Sequence, residues 1–405
     1  MSDASLKSFT KNQKIVLGST MSGLGAQGMN IMLLSFALSS IIVDLNINST
    51  QAGLISTITN FGMLFGGILF GVVADKYSKV KMFVFTVLLF SISTFLIAFS
   101  TNVYMLFLLR FLAGMGAGGE YGVGMALLAD AFTKKTRGRV TSYVTIGGQM
   151  GSIVAAIGAA IILPQFGWRG LFVIGILPIF LALYAWKNLK ETKQEENMVK
   201  EEKVKIPISE LFSSKQRAIT TITLTIMATV QVAGYFGLMN WLPSILQKRL
   251  GLSVSGSSLW MISTIIGMCL GMLLFGQIMD RIGPKFAYSL FLLASAGAVF
   301  IYVYASSAIA ILIGGSIVGF FANGMNAGYG AIIGNLYPSH IRSTANNLIF
   351  NLGRAIGGFS SVVIGFMLDH YSLTAAMIFL STLYVISFVC VQTLNNDVLK
   401  KGVTE

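Results

Sequence analysis

Continuous apolar runs separated by short polar breaks dominate the chain. Twelve of them reach the ~20 residues a helix needs to cross hydrocarbon. They lie at approximately 15–43, 52–74, 82–100, 103–129, 140–163, 167–186, 217–246, 255–279, 286–304, 308–333, 343–368 and 373–394. Transmembrane β-strands would instead show alternating segments of about ten residues, so the pattern predicts helices. Most connections are short. The exception is 187–216, where Glu and Lys interleave, and which reads as a linker between an N-terminal bundle, 1–186, and a C-terminal bundle, 217–405. The expected fold is an all-α integral membrane protein with twelve transmembrane helices in two pseudo-symmetric six-helix bundles.

An internal repeat supports the division. Gly71-x-x-x-Asp75-Lys76, after the second run, recurs as Gly276-x-x-x-Asp280-Arg281 after the eighth, an offset of 205 residues. The same offset carries Arg137 to Arg342, in the breaks after the fourth and tenth runs. Two repeats of one orientation joined by a basic linker are the pattern of a transporter built from related halves. No GxxxxGK[ST] motif occurs, so the chain carries no nucleotide-driven engine of its own.

Composition agrees. Of 405 residues, 55% are hydrophobic and 11% charged, with a mean hydropathy of +0.77, whereas soluble domains carry about 25% charged residues. The net charge of +13 raises the possibility of a nucleic-acid partner, but its placement excludes one. Of 28 Lys and Arg, 23 fall on alternate breaks and in the terminal segments; the opposite breaks hold only Arg169, Lys248 and Arg249. This is the positive-inside pattern and predicts a multi-pass protein of the cell membrane with both termini cytoplasmic. The first fourteen residues are polar, and the run behind them is too long for a cleaved signal. Cys269 and Cys390 stand singly in apolar runs and read as core residues. With two histidines and no nucleophile–base set or metal cluster, the sequence argues against an enzyme.

The Gly-x-x-x-Asp-Lys/Arg breaks, with Lys79 and Lys81 completing the first copy, resemble the signature of the major facilitator superfamily, and the likeness extends over the whole chain. Within it, Arg110-x-x-x-Gly114-x-Gly116-x-Gly118-Gly119-Glu120-Tyr121-Gly122 is similar to proton symporters of sialic acid, aromatic acids and related metabolites. Gly167-Trp168-Arg169-x-Leu171-Phe172-x-Ile174-Gly175-Ile176-Leu177-Pro178 is similar to the sialate and lactate type. The resemblance implies two halves that rock about a midplane site. It also implies a cytoplasmic gate built from Asp75 with Arg137 and Asp280 with Arg342.

Glu120 is the one acid well inside an apolar run. An ionised carboxylate there costs at least roughly 2.5–3.5 kcal/mol on insertion scales, so it must face protein or water. Either it loads and releases a proton as water access alternates, or it is a structural partner for a neighbouring helix. Arg110 lies ten residues away, about 15 Å along a helix, too far to pair with it directly. The resemblance implies that Arg110 tunes the proton site; a structural ion or carbonyl contact is the other reading. Arg354 sits near the middle of the eleventh run, with Asn347 and Asn351 on its face at i, i+4, i+7. A guanidinium holds a carboxylate by two hydrogen bonds, which makes Arg354 the candidate anion ligand, with a gate-locking pair as the alternative. Its repeat mate is Gln149. Further polar residues able to contact a solute, or to join helices, are Gln27 and Asn30, Tyr235 and Asn240, and Asn323, Asn326 and Tyr329, the last three at i, i+3, i+6.

One departure matters. Many sialate and aromatic-acid relatives carry Asp-Gly-Phe/Tyr-Asp in the first helix, whereas this chain reads Gln27-Gly28-Met29-Asn30. Amides keep size and hydrogen bonding but carry no proton. Glu120 is therefore left as the expected proton carrier. The expected function is proton-coupled symport of a small organic anion, a carboxylate or acidic sugar. No cofactor is expected beyond the proton gradient, the bilayer is the surroundings, and a monomer suffices. The rivals are facilitated diffusion of a neutral solute such as a sugar, export of drugs or metabolites, and a non-transporting membrane sensor.

Overall fold

Short polar residues open the apolar runs. Thr10, Ser78, Asn102, Ser214, Ser253, Ser307 and Ser372 each accept the amide N–H three residues on, capping the helix that follows. The computed structural model describes residues 9–132, 134–189, 208–305, 307–337 and 341–394, some of them by backbone alone. It contains fifteen α-helices among these residues and no strand: α1 (Lys11–Asp44), α2 (Ser49–Lys76), α3 (Lys79–Ile97), α4 (Val103–Ala131), α5 (Lys134–Val173), α6 (Pro178–Asn188), α7 (Lys215–Leu250), α8 (Val254–Ile282), α9 (Pro284–Ala298), α10 (Ile301–Tyr304), α11 (Ala308–Gly324), α12 (Tyr329–Leu336), α13 (Arg342–Gly357), α14 (Ser360–His370) and α15 (Leu373–Gln392). Each of the twelve expected runs falls on helix. Of the interval 187–216, residues 190–207 lie outside the described residues.

Nine segments of the described residues are long and apolar enough to cross a membrane. The remainder of the twelve have local causes. Arg110, Glu120 and its glycines dilute α4. Val140–Asn188 counts once although the chain turns at Gly167, whose φ of 63° is a left-handed conformation that suits glycine. The residues after that turn fix it in place. Asp44 accepts from Trp168 Nε1 (3.1 Å) and Arg169 Nη1 (2.5 Å), and Arg169 Nη2 donates to the Ser100 carbonyl (3.2 Å).

The expected run 308–333 is interrupted by a 3₁₀ turn at Met325–Gly328. Gly324 and Gly328 press so closely on α8 and α9 that a Cβ would come within 2.8 Å of Gly271 and 2.4 Å of Phe275. The shared face expected for Asn323, Asn326 and Tyr329 therefore does not form. Asn323 and Tyr329 are buried, whereas Asn326 is exposed because Met325 takes the inward position of the turn. The expected run 343–368 likewise breaks after the Gly357-Gly358 pair, where backbone freedom is greatest.

The chain divides into two compact units. The first holds α1, the part of α2 from Ile58 onward, and α3 to α6; the second holds Asn48–Thr57 and the helices from α7 to α15. Inside each, glycines bring backbones into contact, and the 205-residue repeat is visible atom by atom. In the first unit a Cβ on Gly62, Gly66 or Gly114 would meet the carbonyl oxygens of Phe111 (2.2 Å), Met115 (1.9 Å) and Thr59 (2.2 Å), joining α2 to α4. In the second, Gly267, Gly271 and Gly319 meet those of Ser316 (2.1 Å), Phe320 (2.1 Å) and Thr264 (2.4 Å), joining α8 to α11. All six residue pairs keep the same offset. Apolar side chains such as Phe180, Leu183, Leu273 and Ile309 cover the outside, as hydrocarbon requires.

Two glycines of one helix should respond oppositely. At Gly118 a Cβ would stand 2.1 Å from the Met63 carbonyl, while at Gly122 nothing lies within 4 Å. Gly118→Ala is expected to destabilise by about 1–3 kcal/mol, and Gly122→Ala to stabilise by about 0.4–1 kcal/mol. Thermal unfolding of the detergent-purified variants checks both; equal effects would show that α4 is not packed through Gly118.

Candidate functional site: the α1–α4 seam

Helical periodicity puts Thr20, Gly23, Gln27 and Asn30 on one face of α1. Against this face α4 brings the two side chains that are fully buried among the acidic and basic groups of the described residues, Arg110 (0% exposed) and Glu120 (1%). No ion pair reaches either one among those residues.

Glu120 reaches α1 because position 23 lacks a side chain. A Cβ on Gly23 would lie 2.2 Å from Glu120 Oε1 and 3.1 Å from the Phe83 ring. Thr20, one turn away, spends its hydroxyl on the Val16 and Leu17 carbonyls, at 2.8 and 3.2 Å. Glu120 Oε2 has no hydrogen-bond partner among the described residues. The carboxyl is fully buried and has no cation beside it among the described residues.

Arg110 sits at the other end of the seam and bonds to α1, not to Glu120. Its Nη1 donates to Asn30 Oδ1 at 2.8 Å, with the Asn30 carbonyl at 3.4 Å. The amide cannot turn around, because Thr94 Oγ1 gives its proton to the Phe90 carbonyl (2.7 Å) and so can only accept from Asn30 Nδ2. The Phe172 ring lies 5.1 Å from the guanidinium carbon. Between the two charged residues stands Gln27, buried, its Oε1 without a partner among the described residues.

The candidates in the second unit are placed differently. Arg354 is half-buried in the last turn of α13, where a cation suits the helix C-terminus, and Asn351 is half-buried beside it. Asn240 is committed to joining helices, donating to Ser56 and Ser361 Oγ. Asn323 accepts from Gln231 Nε2 (3.1 Å), which also bonds the Ala322 carbonyl (2.9 Å). Tyr329 is fully buried between Tyr288 and Phe350, and Tyr235 is half-buried against Phe236. Gln149, on α5 of the first unit, is half-buried. Of the gate residues, Asp280 is exposed at the end of α8; the side chains of Asp75, Arg137 and Arg342, like that of Asn347, lie outside the described residues.

Sequence reasoning missed the Asn30–Arg110 bond, the Thr94 support, the space at Gly23 and the Gln231–Asn323 pair. Only the i, i+4, i+7 spacing of Gly23, Gln27 and Asn30 signalled a common face; the rest joins residues 64 to 92 positions apart or more.

With this geometry, the comparisons with known proteins are informative. The family model described as Major Facilitator Superfamily matches residues 20–313 and 224–400. A putative metabolite transport protein of Haemophilus influenzae is 38% identical over 384 residues, covering 92% of this chain and 93% of that one. The cis,cis-muconate transport protein of Acinetobacter baylyi is 30% identical over 90% of this chain and 89% of its own. The sialic acid transporter NanX of Escherichia coli is 30% identical over 94% of each. In fold, the chain is similar to a bacterial homolog of the human lysosomal transporter Spinster, with a TM-score of 0.78, 16% identity and coverage of 95% and 97%.

The Gly23–Glu120 contact predicts non-additivity. Gly23→Ala alone is expected to cost about 1–3 kcal/mol through the clash with Oε1. In a Glu120→Ala background that clash is gone, and the two changes should couple by about 0.5–3 kcal/mol in a double-mutant cycle read by unfolding. Additive effects would mean the carboxyl does not rest on Gly23.

Proposed function

The chain belongs to the Major Facilitator Superfamily, and from that premise we propose that it carries a small organic anion into the cell together with a proton, by alternating access. It is a membrane-spanning transporter of small molecules, not an enzyme. The observation that carries the proposal is Glu120, the one carboxyl buried among the described residues, held without a cation in the α1–α4 seam. The carboxylate class is supported by relatives whose names give cis,cis-muconate and sialic acid as cargo; both are carboxylic acids. In this reading Arg354 holds the anion and Glu120 the proton. The pairs Asp75–Arg137 and Asp280–Arg342 gate the cytoplasmic side, and the basic alternate loops put both termini in the cytoplasm of a cell-membrane protein.

One observation favours a second reading. Asn30 is bonded to Arg110 through its oxygen, and an amide at this position cannot take part in proton transfer. If Glu120 is only structural, the protein is a facilitator without proton coupling.

Reconstituted vesicles with an imposed pH gradient separate the two, with cis,cis-muconate and sialic acid as first probes. Glu120→Gln is expected to abolish accumulation against a gradient while leaving counterflow exchange; undiminished accumulation would give the reading to the facilitator. Arg354→Ala is expected to raise the apparent KM for the carboxylate at least tenfold, and Arg354→Lys to recover it only in part, because a point charge does not reproduce the two-pronged contact. A KM unchanged in Arg354→Ala removes this residue from the anion site.

A further inference from the structure

We propose that Arg110, within the first unit, forms a buried anion site, which takes a small monovalent anion: a halide ion or a single carboxylate group. The guanidinium is completely buried and its Nη1 is used by Asn30. Nε and Nη2 have no acceptor among the described residues. These two nitrogens form the side-on edge of the guanidinium, whose parallel N–H groups grip a carboxylate or a halide. Asn30 is locked by Thr94 with its oxygen toward Arg110, so the protein offers a dipole where the charge calls for an anion. Glu120, ten residues away on the same helix and about 15 Å along it, does not supply one.

The repeat shows that packing does not demand the charge. In the second unit the positions 205 residues on from Asn30 and Arg110 are Tyr235 and Gly315. There, a Cβ on Gly315 would meet Thr264 Oγ1 at 2.7 Å, and helices α8 and α11 pack without a cation. A permanent charge retained at one of two equivalent places, fixed in orientation and with two donors unsatisfied among the described residues, is the arrangement of a ligand site. The occupant must be small and singly charged, since the Phe172 ring 5.1 Å away closes one side. It enters when the seam loosens around Arg110. This inference does not depend on Glu120 or on transport, so it stands or falls separately from the proposed function.

Thermal unfolding of the purified full-length protein tests it, with sodium HEPES replaced stepwise by sodium chloride or by sodium benzoate at constant sodium. Asn30→Asp supplies a built-in anion at Nη1, and Arg110→Gln removes the cation. The wild type is expected to gain several degrees in Tm, saturating with anion as a ligand of the folded state does, and both variants are expected to lose that response. A response to chloride alone assigns the site to a free halide; one to benzoate alone assigns it to the carboxylate of a solute. A flat wild-type curve overturns the proposal, and so does a response that survives undiminished in either variant that folds.

Discussion

Lipid tails are as apolar as leucine, so burying one apolar helix against another gains little in a bilayer, and association depends on close contact and polar bonds. The glycine crossings meet that constraint. At Gly62, Gly66 and Gly114, and again at Gly267, Gly271 and Gly319, a backbone carbonyl of the facing helix occupies the space of the missing side chain. The same three contacts, repeated at one offset, mean that both units solve the packing problem in the same way. The seam between α1 and α5 uses the same device, with Gly151 facing the carbonyl of Gly25 at 1.8 Å from its would-be Cβ.

That economy makes the asymmetry of the polar groups meaningful. Where the first unit carries Asn30, Arg110 and Glu120, the second carries Tyr235, Gly315 and Met325. Two buried ionisable groups without ion pairs are unfavourable by several kcal/mol each in a dry interior; the second unit shows that the architecture stands without them. Their geometry also separates their roles: Glu120 rests on a gap in α1, whereas Arg110 is held by a neutral amide whose direction Thr94 dictates.

Much of this was legible in the chain. The apolar runs, the repeat at 205, the basic alternate breaks and the isolation of Glu120 needed no coordinates, because each is a property of residues near one another or at one fixed offset. The helix interruptions at Met325–Gly328 and after Gly357 were not, since periodicity alone extends a helix through an apolar stretch and cannot see a neighbour pressing on it. Asn240 shows the same limit: its amide looked available for a solute, yet it is used by Ser56 and Ser361, 184 and 121 positions away.

By itself, then, the sequence determined the helical class, the duplicated plan and the few residues that place charge inside an apolar run. These follow from the energetic penalty on polar atoms in lipid, which writes itself into composition and spacing. Only the tertiary structure decided which partners those residues have. Arg110 meets Asn30 rather than Glu120, Glu120 lodges against Gly23, and Gln231 takes the oxygen of Asn323. Such pairings depend on how α1 lies across α4 and α7 beside α11, and the crossing of two helices is set by contacts that no single stretch of chain contains.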